Sequence, residues 1–200
     1  MKNTFRLIGV IAVAALIGFT MIACGGGGYK KSGLSTDGFF GALPGLYADK
    51  NLAFDSAMKK YDTAKEKAEK KMNFKAVQKA EDQFKKEYEK IDSDFDPKIA
   101  AEREKLSGKD VPFITSANFA EFKVNSLKVG DDGELVLSAS DARSNLIGVT
   151  SFKFRALAKD GSVIIEHVNY GSDKVYIQAT MTNDPEKWVD FEKIEFLNAM

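Results

Sequence analysis

Two different hydrophobic periods divide this chain into a helical part and a strand part. Between residues 47 and 108 apolar side chains recur every three or four positions, whereas beyond residue 111 they tend to alternate. The first spacing places side chains on one face of a helix, and the second places them on one face of a strand. The pattern therefore predicts an α+β protein, with an N-terminal antiparallel helical hairpin over 47–108 and an antiparallel β-sandwich over 111–200.

The helical part contains two apolar stripes, with Asn73 as the predicted break between them. The first stripe comprises Phe54, Met58, Tyr61, Ala64, Ala68 and Met72, and the second comprises Val77, Ala80, Phe84, Tyr88, Ile91 and Phe95. Two amphipathic helices joined by a short connection pack antiparallel and bury their stripes against each other. Asp96-Pro97 predicts either the start of a short third helix through about residue 106 or a kink in the second helix.

Turn signals separate six or seven predicted strands in the remaining part. The strongest are an Asp-Asp-Gly sequence at 131–133 and an Asp-Gly sequence at 160–161, because these residues favour tight turns between strands. The alternation changes parity between Val124 and Leu127, which predicts a β-bulge. Renewed alternation predicts a further strand over 175–181.

Trp188 and His167 are each the only residue of their type in the chain. Trp188 precedes a predicted closing strand over 189–197, where its indole is expected to fill the core. His167 lies within a predicted strand, and any Ser-His-Asp relay or imidazole metal site would have to use it. The expected role of His167 is that of a surface or half-buried strand residue.

The first 24 residues have the layout of an export signal. Lys2 and Arg6 form a positive start, and the sixteen residues over 7–22 carry no charge. This layout is typical of a secretory signal peptide, predicted here over 1–23. A retained transmembrane helix is the alternative. Such a helix needs about 20 apolar residues, whereas this apolar run is shorter and is followed by four glycines, which do not favour a helix.

The residues Met21, Ile22, Ala23 and Cys24 resemble a bacterial lipobox, in which an aliphatic residue, a small or aliphatic residue, and Ala or Gly precede a cysteine. Ile22, Ala23 and Cys24 fit that pattern, whereas Met21 stands where leucine is usual. The resemblance implies a diacylglycerol on the Cys24 sulfur, cleavage before Cys24, and a lipid anchor in the membrane of the cell envelope. Because Gly25 rather than aspartate follows, it also implies the outer membrane if the host has two membranes.

A glycine-rich stretch separates this signal from the helices. Residues 25–28 are all glycine, and the range 24–46 as a whole is interpreted as the lipidated cysteine followed by a flexible tether. Near its end Phe39, Phe40 and Leu43 either form an exposed apolar patch or pack on the domain as an irregular arm. Packing is the expectation, because large exposed apolar patches are uncommon on soluble proteins.

Charge and cysteine content limit the classes of function. Removal of residues 1–23 leaves 177 residues with 27 basic and 29 acidic side chains, which is a formal net charge of −2. This balance lacks the basic footprint of a nucleic-acid-binding protein, so no nucleic-acid partner is predicted. Cys24 is the only cysteine, so its lipidation leaves no thiol for a disulfide or a nucleophile. No catalytic residue, cofactor or metal site is predicted.

Two short motifs match functional patterns only in part. Asp92, Asp94 and Asp96 have the spacing of an EF-hand opening, but proline follows where that loop needs glycine, and arginine stands where it needs glutamate. Ser56 and Lys59 match a Ser-x-x-Lys sequence, yet its partner motifs Ser-Asp-Asn and Lys-Thr-Gly do not occur in the chain. Both motifs are interpreted as solvated helix positions.

The segment 133–165 resembles the immunoglobulin-type domains of bacterial envelope lipoproteins. In those domains a strand like GELVLSASD leads through a loop to a longer strand that ends in a turn like AKDGSVI. The resemblance implies an immunoglobulin-like sandwich that serves as a binding domain or a spacer domain and carries no catalytic residues. The cysteine pair of antibody domains is absent, which sets this chain apart from that branch.

Three functions follow as alternatives. The favoured one is a membrane-anchored, non-enzymatic envelope lipoprotein that binds a protein, glycan or small ligand, or helps to assemble a surface structure. The second is a hydrolase of cell-wall or glycan substrates, which would need two acids within about 10 Å in a cleft and a raised pKa for one of them. The third is a structural spacer that holds another protein away from the membrane.

Overall fold

The computed structural model describes residues 31–117, 122–141, 151–170 and 173–199. The predicted signal peptide and Cys24 lie outside these ranges. Within the described residues one compact unit covers Leu52–Asp94, and a second covers Lys31–Asn51 together with the residues from Phe95 onward.

Two long helices, α1 (Leu43–Glu69) and α2 (Phe74–Leu106), confirm the predicted helical hairpin and its break at Asn73. Helix α1 begins at Leu43 rather than near residue 47, because Pro44 lies in the first turn, where the N–H that proline lacks has no helical partner.

Pro97 lies inside α2, so the predicted third helix is wrong. Proline cannot donate the backbone hydrogen bond of its turn, and it usually ends or kinks a helix. Phe95 and Ile99, two residues to either side, are both buried. Most helical stability in proteins comes from packing of the apolar face, and this burial keeps α2 continuous through the proline.

The unit over Leu52–Asp94 is held together by an aromatic cluster between the two helices. The ring centroid of Phe84 lies 6.0 Å from that of Phe54 and 5.2 Å from that of Tyr61. Phe54 and Tyr88 lie 5.5 Å apart in an edge-on arrangement. These contacts confirm that the central parts of the two stripes face each other. Met72, the last residue assigned to the first stripe, is instead exposed to solvent.

In the described part of the second unit, seven strands form two sheets. They are β1 (Phe113–Thr115), β2 (Phe122–Val129), β3 (Leu135–Asp141), β4 (Phe152–Ala158), β5 (Val163–Asn169), β6 (Lys174–Val175) and β7 (Phe191–Ala199). The strand orders are β1-β7-β4-β5 and β2-β3-β6. Strand β1 runs parallel to β7, so the first sheet is mixed rather than purely antiparallel. More than seventy residues separate β1 from β7 along the chain, which is long enough for the crossover connection that a parallel pair needs.

Alternating burial along the strands confirms the predicted core faces. Phe154 and Ala156 are fully buried on β4, and Leu135 and Leu137 are buried on β3. The predicted bulge is also confirmed, since the register between β2 and β3 shifts at residues 124–126. Both features depend on residues close in sequence, which is why the alternation could predict them.

The predicted strand over 175–181 is wrong beyond Val175. The chain forms a short helix α3 (Gln178–Asn183), followed by a 3-10 helix (Pro185–Trp188). One carboxylate oxygen of Glu134 accepts hydrogen bonds from the backbone N–H groups of Ile177 and Gln178. It thereby satisfies donors that have no partner within the helix at its start. Glu134 is distant in sequence, so the local alternation could not show this contact.

The segment before α1 packs against the 3-10 helix and the start of β7. The ring centroid of Phe40 lies 5.6 Å from Trp188 and 5.0 Å from Phe191. All three side chains are at most 1% exposed. The predicted packing of the apolar arm and the predicted core position of Trp188 are therefore both confirmed.

Candidate functional site

A polar cleft of about 560 Å³ lies beside the turn between β4 and β5. One wall is formed by residues 158–164, which make up that turn and its flanks. The other wall is formed by Glu186 and Lys187 of the 3-10 helix and by Asp190. The volume falls within the range of about 300–1,000 Å³ that is usual for sites of small ligands.

Backbone hydrogen bonds shape both walls of the cleft. The N–H of Gly161 donates to the carbonyl of Ala158 at 2.9 Å, and Gly161 has a φ of 82°, a conformation that favours glycine. The N–H of Lys159 donates to the carbonyl of Asp190 at 2.9 Å and so joins the two walls. The Asp-Gly turn predicted at 160–161 is thus confirmed and forms the rim of the cleft.

The cleft is lined by charges of both signs. The carboxylates belong to Asp160, Glu186 and Asp190, and the ammonium groups belong to Lys159 and Lys187. All five residues are exposed at the surface. The cleft is therefore a solvated surface that offers a ligand hydrogen bonds and charge beside the apolar side chains of Val163 and Ile164.

Ser162 favours the ionised form of the Asp160 carboxyl. Hydrogen bonds from the side chain and then the backbone of Ser162 lower the pKa of Asp160 below its ordinary value. The backbone contact is a 2.9 Å hydrogen bond from the N–H of Ser162 to Oδ1 of Asp160. A carboxyl that acts as a general acid near neutral pH needs the opposite shift, towards a higher pKa. The lowered pKa of Asp160 therefore argues against a role as general acid near neutral pH.

A second polar cluster, formed by Tyr47, Arg103 and Gln178, was missed by sequence reasoning. Nη2 of Arg103 donates to the hydroxyl of Tyr47 at 2.6 Å and to Oε1 of Gln178 at 2.5 Å. Nε of Arg103 is buried and has no hydrogen-bond partner. The cluster ties α1, α2 and α3 together within the second unit. Its members are far apart in sequence and match no motif, so no local signal could have found them.

His167 lies exposed on β5, which confirms its predicted place on a strand at the surface. Its ring is 6.0 Å from the ring of Phe154 in an edge-on arrangement. In the described part of the chain no hydrogen bond joins His167 to a serine or an acid, as a catalytic relay would require.

The partial motifs of the helical region are dispersed along helices. The acids of the EF-hand-like spacing all lie inside α2, and Asp96 forms an ion pair with Lys50 at 2.6 Å. Ser56 and Lys59 lie inside α1. Cys24, the predicted lipidation site, lies outside the described residues. Within the described ranges no three His, Cys, Asp or Glu side chains come together in a way that could hold a metal ion.

The chain matches no family model, no curated protein and no solved structure. Among the helices of the described ranges, none combines the length and apolar character that crossing a membrane requires.

Proposed function

We propose that this protein is an exported lipoprotein, anchored through Cys24, that acts in the cell envelope as a non-enzymatic binding or assembly module. The observation that carries the proposal is the order of residues 1–24: a positive start, an uncharged run, and then Ile22, Ala23 and Cys24. Two or three acyl chains at one residue hold a protein firmly, whereas a single chain binds a bilayer only weakly. The Gly25 that follows Cys24 favours the outer membrane in a host that has two.

The cleft beside the β4–β5 turn supports the binding role. Carboxylates and ammonium groups lie close together in the cleft. The carboxylates accept hydrogen bonds and the ammonium groups donate them, so the surface offers a ligand both kinds of partner. A glycan or a polar segment of an envelope protein offers hydroxyl and amide groups that match such a surface. The exposed carboxylate of Asp160 is ionised near neutral pH, and an ionised acceptor forms the stronger hydrogen bonds.

We further infer that the two sheets stack as a β-sandwich. In support, each sheet buries alternate residues, such as Phe154 on β4 and Leu137 on β3. The order β1-β7-β4-β5 differs from the constant-type immunoglobulin order, in which the first, second, fifth and fourth strands share a sheet. The proposed sandwich therefore has a strand order of its own, and a solution structure would test the stacking directly.

Cys24→Ala is expected to move the protein out of the membrane fraction. Without the sulfur no thioether to diacylglycerol can form, so the acyl chains that provide the anchor are lost. The measurement is fractionation of the producing cells, together with mass spectrometry of the N-terminal peptide. The wild-type chain should yield a peptide that begins at Cys24 and carries acyl chains.

Gly26→Ala is the matched control, because it alters the same stretch and leaves Met21 to Cys24 intact. This variant should remain in the membrane fraction and stay acylated. An intact N-terminal peptide beginning at Met1 in the membrane fraction would contradict the proposed anchor. Retention of the Cys24→Ala protein in that fraction after removal of residues 1–23 would contradict it as well.

Soluble cell-wall oligosaccharides are expected to shift the backbone amide resonances of residues 158–164. Asp160→Asn should weaken this binding about tenfold, since a hydrogen bond to a charged group contributes about 1.5–3 kcal/mol. Glu192→Gln removes an exposed acid outside the cleft and serves as the control. Shifts confined to other residues would contradict the cleft as the binding surface. Release of reducing ends that persists in His167→Ala would favour the carboxylate hydrolase instead.

A further inference from the structure

The turn that joins α1 to α2 presents two large apolar side chains to solvent. Met72 and Phe74 are each 82% exposed, more than any other large hydrophobic residue in the described ranges. Single exposed apolar residues are ordinary on protein surfaces, but a cluster of them marks a contact surface. Here two lie within three residues at the end of a helical hairpin. We call residues 70–75 the hairpin tip.

Hydrogen bonds shape the backbone turn of the hairpin tip. The N–H of Met72 donates to the carbonyl of Glu69 at 2.8 Å, and the N–H of Asn73 donates to the carbonyl of Ala68 at 3.0 Å. Oδ1 of Asn73 accepts a hydrogen bond from the N–H of Ala76 at 3.1 Å and caps the start of α2. Met72 has a φ of 48°, in the left-handed region that usually holds glycine after a helix. A methionine thus occupies a position where glycine would be less strained.

Lysines surround the exposed apolar pair. Residues 65–79 contain six lysines and two glutamates, a formal net charge of +4, and residues 70–79 contain no acid. Glu66 is paired with Lys70 at 2.6 Å. Lys71, Lys75 and Lys79 are exposed, and no ion pair joins them to any described residue. The hairpin tip therefore combines an apolar centre with a surround of one charge sign.

We propose that the hairpin tip inserts into the surface of an anionic phospholipid bilayer. Met72 and Phe74 enter the boundary between headgroups and acyl chains, as the apolar residues of interfacial segments do. The lysines lie at the level of the headgroups, because their long stems reach along apolar surface while the ammonium group stays in water. Anionic lipids attract such a basic cluster over about a Debye length.

Charge complementarity favours a bilayer over a protein groove as the occupant. A protein interface usually surrounds its apolar anchors with polar groups that pair individually across the rim. At the hairpin tip the surrounding charges are mostly lysines, and they match a surface of uniform negative charge. The proposal does not depend on the anchor at Cys24. If both are correct, the hairpin tip is a second point of contact between the protein and a bilayer.

The test places an indole at the hairpin tip of the full chain by Phe74→Trp. The protein is mixed with vesicles of phosphatidylcholine and brominated phosphatidylglycerol in equal parts, and tryptophan emission is recorded. We expect emission at shorter wavelength and quenching by the bromine atoms. The wild-type chain is the baseline, because its only indole, Trp188, is fully buried.

Charge reversal at the hairpin tip separates the role of the lysines from that of the apolar pair. Lys71→Glu with Lys75→Glu should raise the lipid concentration for half-maximal quenching at least about tenfold, given the attraction of each lysine to an anionic surface. Lys85→Glu with Lys86→Glu makes the same change of net charge on exposed residues of α2 away from the tip. This control pair should leave the quenching nearly unchanged.

Four outcomes would overturn the proposal. Quenching no greater than that of the wild-type chain would show that the hairpin tip stays out of the bilayer. Equal quenching in brominated phosphatidylcholine alone would show that anionic charge is not what the tip recognises. A blue shift without vesicles that grows with protein concentration would assign the tip to a second copy of the chain. A shift that requires added envelope proteins would assign it to a protein partner.

Discussion

Gly38→Ala is expected to destabilise the second unit by about 3 kcal/mol, at the upper end of the usual cost of overpacking. A Cβ atom at this position would lie 2.2 Å from the carbonyl oxygen of Val189 and 3.2 Å from its carbonyl carbon. Both atoms belong to the backbone, so no side-chain rotation can relieve the clash. The arm that carries Phe40 would have to move away from Trp188, and the aromatic contacts between them would weaken.

Urea-induced unfolding, followed by the fluorescence of Trp188 and by circular dichroism, measures this effect. Gly45→Ala is the matched control in the same segment, because a Cβ atom there would meet only Cβ of Leu34 at an ordinary 3.9 Å. In the first turns of α1, alanine should leave stability unchanged or raise it by up to about 1 kcal/mol. If Gly38→Ala unfolds at the same urea concentration as Gly45→Ala, Gly38 does not pack on Val189 in solution.

Trp188→Ala is expected to cost about 3–5 kcal/mol, the usual range for removing a large buried aromatic side chain. The indole is fully buried, and its ring centroid lies 5.6 Å from Phe40 and 5.8 Å from Phe191. Its loss would leave a cavity where the arm, the 3-10 helix and β7 meet. Whole domains are stable by only about 5–15 kcal/mol, so this loss would remove a large part of the stability of the protein.

Two further variants sharpen the test of the core. Nε1 of Trp188 is buried without a hydrogen-bond partner, so Trp188→Phe removes an unsatisfied donor and should cost far less than Trp188→Ala. Tyr170→Ala, at an aromatic side chain that is 74% exposed, should change stability by less than about 0.5 kcal/mol. Equal losses in Trp188→Ala and Tyr170→Ala, measured by circular dichroism in urea, would show that Trp188 does not hold the core together.

The sequence predicted the turn that forms one wall of the candidate cleft, but it did not predict which residues form the other wall. The Asp-Gly sequence at 160–161 is a local turn signal, so its place between two strands follows from a few neighbouring residues. Glu186 and Asp190 come to the opposite wall because β7 pairs with β4, with Phe191 in register with Ala158. That pairing joins residues more than thirty positions apart, and hydrophobic alternation carries no information about which strands become neighbours.

By itself the sequence determined the features that depend on neighbouring residues. The break at Asn73 follows from the end of one helical stripe and the start of the next. The buried face of β4 follows from its alternation, and the core position of Trp188 follows from the size of the indole. In each case the favourable free energy comes from the hydrophobic effect, and the apolar positions that it acts on lie within a single helix, strand or turn.

Other features depend on contacts between residues that are far apart in sequence, and only the tertiary structure determined these. Helix α3 replaces a strand because one carboxylate oxygen of Glu134 accepts hydrogen bonds from the N–H groups of Ile177 and Gln178 at the helix start. Helix α2 continues through Pro97 because residues on both sides are buried. The parallel pairing of β1 with β7 joins residues about eighty positions apart, and the alternation within either strand carries no sign of it. Met72 is exposed although it continues the stripe, because it lies in the turn beyond the last buried residue of α1. A hydrophobic period shows which residues can be buried, but burial also requires a second surface, and the fold alone supplies it.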